Sequence, residues 1–397
     1  MNPFLAVVIA SFLARLSYQM ARSPVLPRFA EHLGAAPELI GMVVAASTVT
    51  GVLFKLPAGA LSDLFGRRRV MLLGAIFFAI PPFLYPFVEG AASLLALRFV
   101  HGFATAIFSP VASAYVAGLG DLRRGARLGW FSSANDVGAT AGPLIGGLVL
   151  YATASFEVSY LLVGLIGVLA LGAALLVPET DTKAAPAESS LGARAVEFRA
   201  GLRDVLTTPA VLTAAAVEAT MYLGFGAFLG FLPLYARSVG FNDAAIAVVL
   251  TVQLAVAVLA KPLTGNLSDR LGRKPVIVLG LFACAAALTL IFRMTTLGGL
   301  LAVVPLLGLG VAAVTPATNA LIADLVVAKR LGTGMGVFGT IWDIGEAAGP
   351  ILAGVLIAQI GYQLAFDVIA AIIAALAVTF AIRVRIAPVP TAGAERR

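Results

Sequence analysis

The chain has 397 residues, 60% of them hydrophobic and only 12% charged, with a mean hydropathy of +1.00. Soluble domains carry about 25% charged residues, so lipid rather than water solvates most of this chain. Its net charge of +7 comes from short Lys/Arg clusters between apolar runs, a pattern of membrane topology rather than of a nucleic-acid surface, and its single cysteine, Cys284, excludes an intramolecular disulfide and reads as a small apolar side chain.

A membrane helix needs about 20 mainly apolar residues. Twelve segments qualify: 4–26, 37–58, 70–88, 92–117, 129–151, 157–177, 210–232, 242–264, 275–293, 298–322, 333–357 and 363–383. The first lacks a basic lead and contains Arg15, so it reads as a retained helix, not a cleaved signal peptide. The stretch 178–209, rich in Pro, Ala, Glu and Arg, has no spanning segment. The expected organisation is therefore an N-terminal six-helix bundle over 1–177, a cytoplasmic linker over 178–209, and a C-terminal six-helix bundle over 210–397 with a short cytoplasmic tail.

Lys and Arg set the orientation. With both termini cytoplasmic, nineteen of them fall on the inner side and three, Arg28, Arg237 and Arg293, on the outer. Five more lie within or at the ends of spans: Arg15, Arg22, Lys55, Arg98 and Lys261.

The chain also repeats itself. Gly59-x-x-x-Asp63-x-x-Gly66-Arg67-Arg68 follows the second segment, and Gly265-x-x-x-Asp269-x-x-Gly272-Arg273-Lys274 recurs 206 positions later. Pro27 and Pro233, Gly34 and Gly240, and Lys55 and Lys261 share that offset. At an offset of 207, Asp136-Val137-Gly138 with Gly142-Pro143 matches Asp343-Ile344-Gly345 with Gly349-Pro350. Two halves of the same topology imply a pseudo-two-fold axis along the membrane normal.

With the doubled motif, the chain resembles the major facilitator superfamily over nearly its whole length. Arg98-x-x-x-Gly102 resembles that family's fourth-helix Arg motif, linked there to proton transfer. Gly138-x-x-x-Gly142-Pro143-x-x-Gly146-Gly147 resembles its fifth-helix motif, associated with drug and metabolite antiporters. The resemblance implies an all-α membrane protein: twelve helices, two six-helix bundles and a central cavity opening alternately to each side. It also implies a small-molecule substrate, commonly driven by a proton gradient with no bound cofactor, and a gating bond from Asp63 to the start of the eleventh helix.

The residues themselves carry part of this reading. Gly59 and Gly265 permit close helix approach at the cytoplasmic ends, while Asp63 and Asp269 lie where a carboxylate caps a neighbouring helix. The alternative role for the motif is to fix topology and tight turns. Gly138, Gly142, Gly146 and Gly147 give the fifth helix a smooth face, and Pro143 lets it bend. That face suits either sliding between the halves or static packing. The eleventh helix, with Gly345, Gly349 and Pro350, has a less complete version.

Ionisable groups inside spans are costly and mark function. Arg15, Arg98, His101, Asp136, Glu218, Asp343 and Glu346 stand out, four acids against the two fixed cations Arg15 and Arg98. A carboxyl removed from water holds a proton nearer neutral pH, so one carboxylate can serve a proton and a cationic substrate in turn. Asp343 and Glu346 are the first candidates for coupling, then Glu218, Asp136 and Arg98, although Asp136 also reads as a structural carboxyl near the gate. Arg15 either pairs with an acid or binds an anionic group. Tyr18, His101, Tyr222, Phe225, Gln253, Asn319 and Trp342 are the further cavity candidates, with Phe12, Phe108, Phe228 and Phe338 behind them; the alternative is a packed polar residue for His101 and a lipid- or neighbour-facing ring for each aromatic.

No P-loop, metal-ligand cluster or nucleophile–base set appears, so neither an ATP-driven pump nor an enzyme is expected. The function expected is a secondary transporter of the inner membrane, exporting drugs, toxic compounds or metabolites against protons as a monomer. The rivals are an uptake symporter or facilitator, and a non-transporting receptor or scaffold.

Overall fold

The computed structural model describes residues 2–119, 124–179, 192, 196, 203, 209–325 and 331–383; side chains at 63–64, 124–125, 209–210, 323, 325 and 331–336 also lie outside the description. Most of the expected linker and the tail from 384 onward are likewise outside the described residues. No β-strand occurs among those described.

Helix α1 (Pro3–Met20) starts on Asn2, whose side chain accepts the Phe4 N–H at 2.9 Å, with proline in the first turn. It continues through a wide turn, Ala21–Val25, into α2 (Leu26–His32). Ser23 leaves helical geometry (φ −148, ψ 132) ahead of Pro24, as a residue before proline tends to do. The sequence ended this crossing at 26. Instead the helix resumes beyond the break, so the crossing runs to His32 and Arg22 sits inside it.

The first half continues with α3 (Pro37–Phe65), α4 (Arg67–Ala79) with a tight 3₁₀ extension Pro81–Phe87, α5 (Ala91–Ala117), α6 (Arg124–Thr153) and α7 (Phe156–Leu175). The second half holds α8 (Pro209–Ser238), α9 (Asp243–Leu271), α10 (Arg273–Ile291), α11 (Leu297–Leu325) and α12 (Leu331–Arg383). Among the described residues, ten stretches are long and apolar enough to span a bilayer. The glycine-rich, more polar α6 is an eleventh crossing. The 53-residue α12 would be about 80 Å long if straight, more than twice a bilayer core. It turns at Gly361 (φ 76) and supplies two crossings, completing twelve.

The repeated polar stretch, expected beyond the ends of the second and eighth segments, lies mostly within helix. Helix α3 continues through Gly59 and Asp63 to Phe65, and α9 through Gly265 and Asp269 to Leu271. Only Gly66 and Gly272 interrupt the helix, each at φ +91, a left-handed value that side-chain-bearing residues rarely adopt. Each motif is thus a helix end plus a one-residue joint. Exposed apolar residues such as Phe87 (79%), Leu259 (75%) and Ile382 (73%) need a lipid cover.

Within the first half, α1 packs on α6 and α7, and α5 on α3 and α4; within the second, α12 packs on α8, and α11 on α9 and α10. The halves meet where α3 touches α12 and α6 touches α9. These interfaces are equivalent under the repeat, since each joins the second crossing of one half to the fifth of the other. One apolar core, from Ala6 to Val177, belongs wholly to the first half. The other joins the second half to residues such as Val43, Tyr85 and Tyr160 of the first.

Candidate functional site

Between the halves lies a cavity of about 360 Å³, walled by α1, α3, α5 and α6 on one side and α8, α9, α11 and α12 on the other. Lys55 on α3 lies ten residues before the end of its helix, and Lys261 on α9 lies ten before its own. Asp136 and Asp343 each lie twelve residues past a helix start. All four therefore share one level, about 15–18 Å along their helices at 1.5 Å per residue. Lys55 bonds Asp343, and Lys261 lies 3.5 Å from Asp136. Two lysines related by an offset of 206 thus reach across to two aspartates related by 207.

One turn further in, Arg22 Nη2 donates to Glu346 Oε1 at 2.5 Å, again across the halves. Both residues are nearly buried, at 8% and 7% exposure. Arg15 lines the same cavity. It has no carboxylate within 4 Å among the described residues, so pairing, one of its two expected roles, does not occur. Tyr18, Tyr222, Phe225 and Trp342 are the cavity's aromatic surface. Tyr222 lies 4.5 Å from Trp342 and 6.0 Å from Phe225 between ring centroids, and Lys55 Nζ stands 5.4 Å from the Trp342 ring.

These positions overturn the expected surplus of acids. The cavity wall carries Arg15, Arg22, Lys55 and Lys261 against Asp136, Asp343 and Glu346. Sequence reasoning missed Arg22, Lys55 and Lys261 because it placed them at span ends. The shared 206-residue offset of the lysines was the available signal.

Several other candidates lie behind the wall. Glu218 is 1% exposed and accepts from the Thr318 hydroxyl, with no cation within 4 Å among the described residues. Arg98 and His101 are fully buried in the first half. Arg98 stacks over Tyr18 at 4.8 Å, and its Nη1 is 3.5 Å from His101 Nδ1, which also meets the Tyr85 hydroxyl at 3.0 Å. His101 is therefore a core residue and not a cavity residue. Gln253 is buried with neither amide atom partnered, and Asn319 turns back onto the Thr315 carbonyl at 2.6 Å. Neither lines the cavity. Phe108, Phe228 and Phe338 are packed in the cores, and Phe12 is also absent from the wall.

The glycine faces also divide differently from expectation. A Cβ on Gly138 or Gly142 would strike α1 at Phe12 or Gln19, and one on Gly345 or Gly349 would strike α8 at Ala219 or Leu223. These contacts lie inside each half, so most of each face is internal packing. Only the last glycines touch the other half: Gly147 meets Ala247 and Asp243, and Gly354 meets Pro37 and Glu38. Pro143 and Pro350 stay within continuous helix, and a Cβ on Gly41 would come within 2.2 Å of the Pro350 carbonyl oxygen.

These contacts sit at the face opposite the basic clusters. There Arg28 Nε meets Asp243 Oδ1 at 3.1 Å across the halves, and the Ser23 hydroxyl donates to the Leu229 carbonyl at 3.0 Å. Among the described residues nothing lies within 4 Å of a Cβ on Gly59, and only Pro316 reaches one on Gly265. Among the described residues the halves approach closely opposite the basic clusters, and no such approach occurs at Gly59 or Gly265. The expected latch, from Asp63 to the start of the eleventh crossing, involves side chains outside the described residues. The rest of each motif is tied within its own half: Arg67 donates to the Ala114 carbonyl (2.8 Å), Arg68 to that of Val177 (2.6 Å), and Arg273 to Asp269 and Asp324.

Twelve crossings in two repeated halves around an ion-lined cavity define a multi-pass membrane transporter rather than an enzyme. The chain belongs to the Major Facilitator Superfamily, whose family model matches residues 7–242 and 214–397. It is 24% identical over 335 residues to an uncharacterized MFS-type transporter of Methanocaldococcus jannaschii, covering 84% of this chain and 86% of that protein. Multidrug resistance protein 2 of Bacillus subtilis is 25% identical over 340 residues, covering 84% and 83%. The quinolone resistance protein NorA of Staphylococcus aureus is 24% identical over 57% of each chain. The fold is shared with crystal structures of the nucleoside transporter NupG (TM-score 0.78, 15% identity, 96% and 98% covered) and a peptide transporter, POT (0.78, 14%, 95% and 93%).

Proposed function

We propose that this protein is a proton-coupled secondary transporter that exports a small molecule by alternating access, from an inner membrane in which the basic clusters and both termini face the cytoplasm. The observation that carries the coupling is Asp343: a 3%-exposed carboxylate on the cavity wall whose cation, Lys55, belongs to the other half. A proton and Lys55 compete for that carboxylate. When the proton wins, one tie between the halves is gone and they can rearrange. Export follows if substrate crosses while Asp343 holds Lys55 and the proton crosses on the return. Glu346 with Arg22 is a second tie of the same kind. The outward direction is supported by the names of the multidrug- and quinolone-resistance relatives.

Uptake with a proton is the second reading, and one feature favours it. Asp136, Asp343 and Glu346 already hold cations. Protonation then frees a cation, which suits an acidic substrate entering together with the proton.

The test is flux in proteoliposomes under an imposed pH gradient over a panel of compounds. Export predicts that substrate moves against the proton; movement with the proton selects uptake, and flux indifferent to the gradient overturns coupling. Asp343→Asn combined with Glu346→Gln is expected to leave downhill exchange but abolish gradient-driven accumulation. Coupling that survives both changes sinks the assignment to these carboxylates.

A further inference from the structure

The cavity's charges do not balance among themselves. Lys55, Lys261 and Arg22 are paired within 4 Å with Asp343, Asp136 and Glu346 respectively, one carboxylate to each cation. Arg15 remains. It lies on α1 two helical turns before Arg22, on the same side, where a second cation repels rather than relieves it. Glu218 cannot serve it, because that carboxyl sits behind the wall on Thr318. A guanidinium presents a planar fork of N–H donors that matches a carboxylate in two parallel bonds. When the cavity closes off from water, an unneutralised cation is expensive to enclose. An occupant with one negative charge makes the enclosed set neutral.

The rest of the wall indicates the body of that occupant. Across from Arg15 stand Tyr222, Trp342 and Phe225, with Tyr222 in ring contact with each of the other two and an aromatic wall available to a flat apolar group. We infer that the transported substrate is a monoanionic aromatic or similarly flat apolar acid, its anionic group seated on Arg15 and its body against Tyr222 and Trp342. This rests on the cavity being the transport site, and it holds for either direction of transport.

The test uses three isosteric probes, naphthoate, naphthamide and naphthylmethylammonium, with purified full-length protein in calorimetric titrations and the same protein in proteoliposome flux. Naphthoate is expected to bind at least about tenfold more tightly than the amide and the ammonium, the advantage of a charge-assisted bidentate contact over a neutral one. Arg15→Gln is expected to erase that preference and Arg15→Lys to keep part of it, with unchanged thermal midpoints showing that both fold. Equal binding of all three probes, binding of none, or a preference that survives Arg15→Gln overturns the inference. If wild-type protein carries the amide or ammonium without preferring the acid, transport stands and the substrate class falls. If naphthoate binds through Arg15 but no probe crosses the bilayer, the anion site at Arg15 stands and the transport reading falls.

Discussion

The two Lys–Asp pairs hold equivalent places in the repeat, yet their surroundings differ. Asp343 has a side chain 4% exposed, with Trp342 and Glu346 as near neighbours in sequence and Lys55 bonded to it. Asp136 is 32% exposed and 3.5 Å from Lys261, and the position equivalent to Glu346 in its half is Ala139. Arg15 and Arg22 have no basic counterparts either: an offset of 206 leads to Met221 and Phe228. Duplication therefore supplied a symmetric frame of helices, joints and one ring of four charges. Divergence then placed the extra cations in the first half and the extra acids in the second. On the proposed mechanism, coupling belongs to the deeper pair, and the shallower one helps hold the halves together.

Removing the lysines one at a time tests that division most strongly. Lys55→Met leaves the buried Asp343 without its cation and is expected to cost roughly 3 kcal/mol, as for other broken buried ion pairs. Lys261→Met removes a partner from Asp136, which is itself 32% exposed and 3.5 Å away, and should cost under about 1 kcal/mol. Thermal unfolding of the purified variants checks both, with the midpoint falling by about 5 °C for the first and by about 1–2 °C for the second. Equal losses would mean that the two pairs differ only in appearance.

The same comparison explains what sequence could reveal. Twelve crossings, the division into halves and the repeat were legible because hydrophobic runs and glycine spacing are local signals. Asp136, Asp343 and Glu346 were legible because an acid within an apolar run stands out. Their partners were not. Lys55 and Lys261 sit close to polar residues, so they read as helix ends, whereas α3 and α9 actually continue about ten residues further. Arg22 lay four residues from the expected end of its span at 26, although the chain resumes helix as far as His32. His101 read as either a cavity residue or a packed polar one, and Tyr85 and Arg98 enclose it in the core. A charge pattern along one chain does not say which charges meet across two halves.

The two faces of the molecule offer a second contrast. Opposite the basic clusters the halves touch backbone to backbone, so Gly41→Leu forces a side chain against the Pro350 carbonyl. Such overpacking costs about 1–3 kcal/mol. The relief available is to separate α3 from α12. The variant is expected to widen distances between spin labels on the ends of these helices near Pro37 and Gly361, with a lower thermal midpoint. Unchanged distances would show that the interface yields locally and does not hold the face shut.

Gly59→Leu is the counterpart, with the smallest expected effect on stability. A Cβ there meets nothing within 4 Å among the described residues, so the stability should stay within about 0.5 kcal/mol of wild type. Alternating access nevertheless requires the basic face to close at some stage, and helices approach closely where side chains are absent. Flux should therefore fall sharply while folding and substrate binding to the open cavity persist. Gly41→Leu strains the conformation seen here, whereas Gly59→Leu strains only the one it must convert into. If Gly59→Leu transports normally, the glycine at this helix end serves only the joint at Gly66, and closure of the basic face is carried by other contacts.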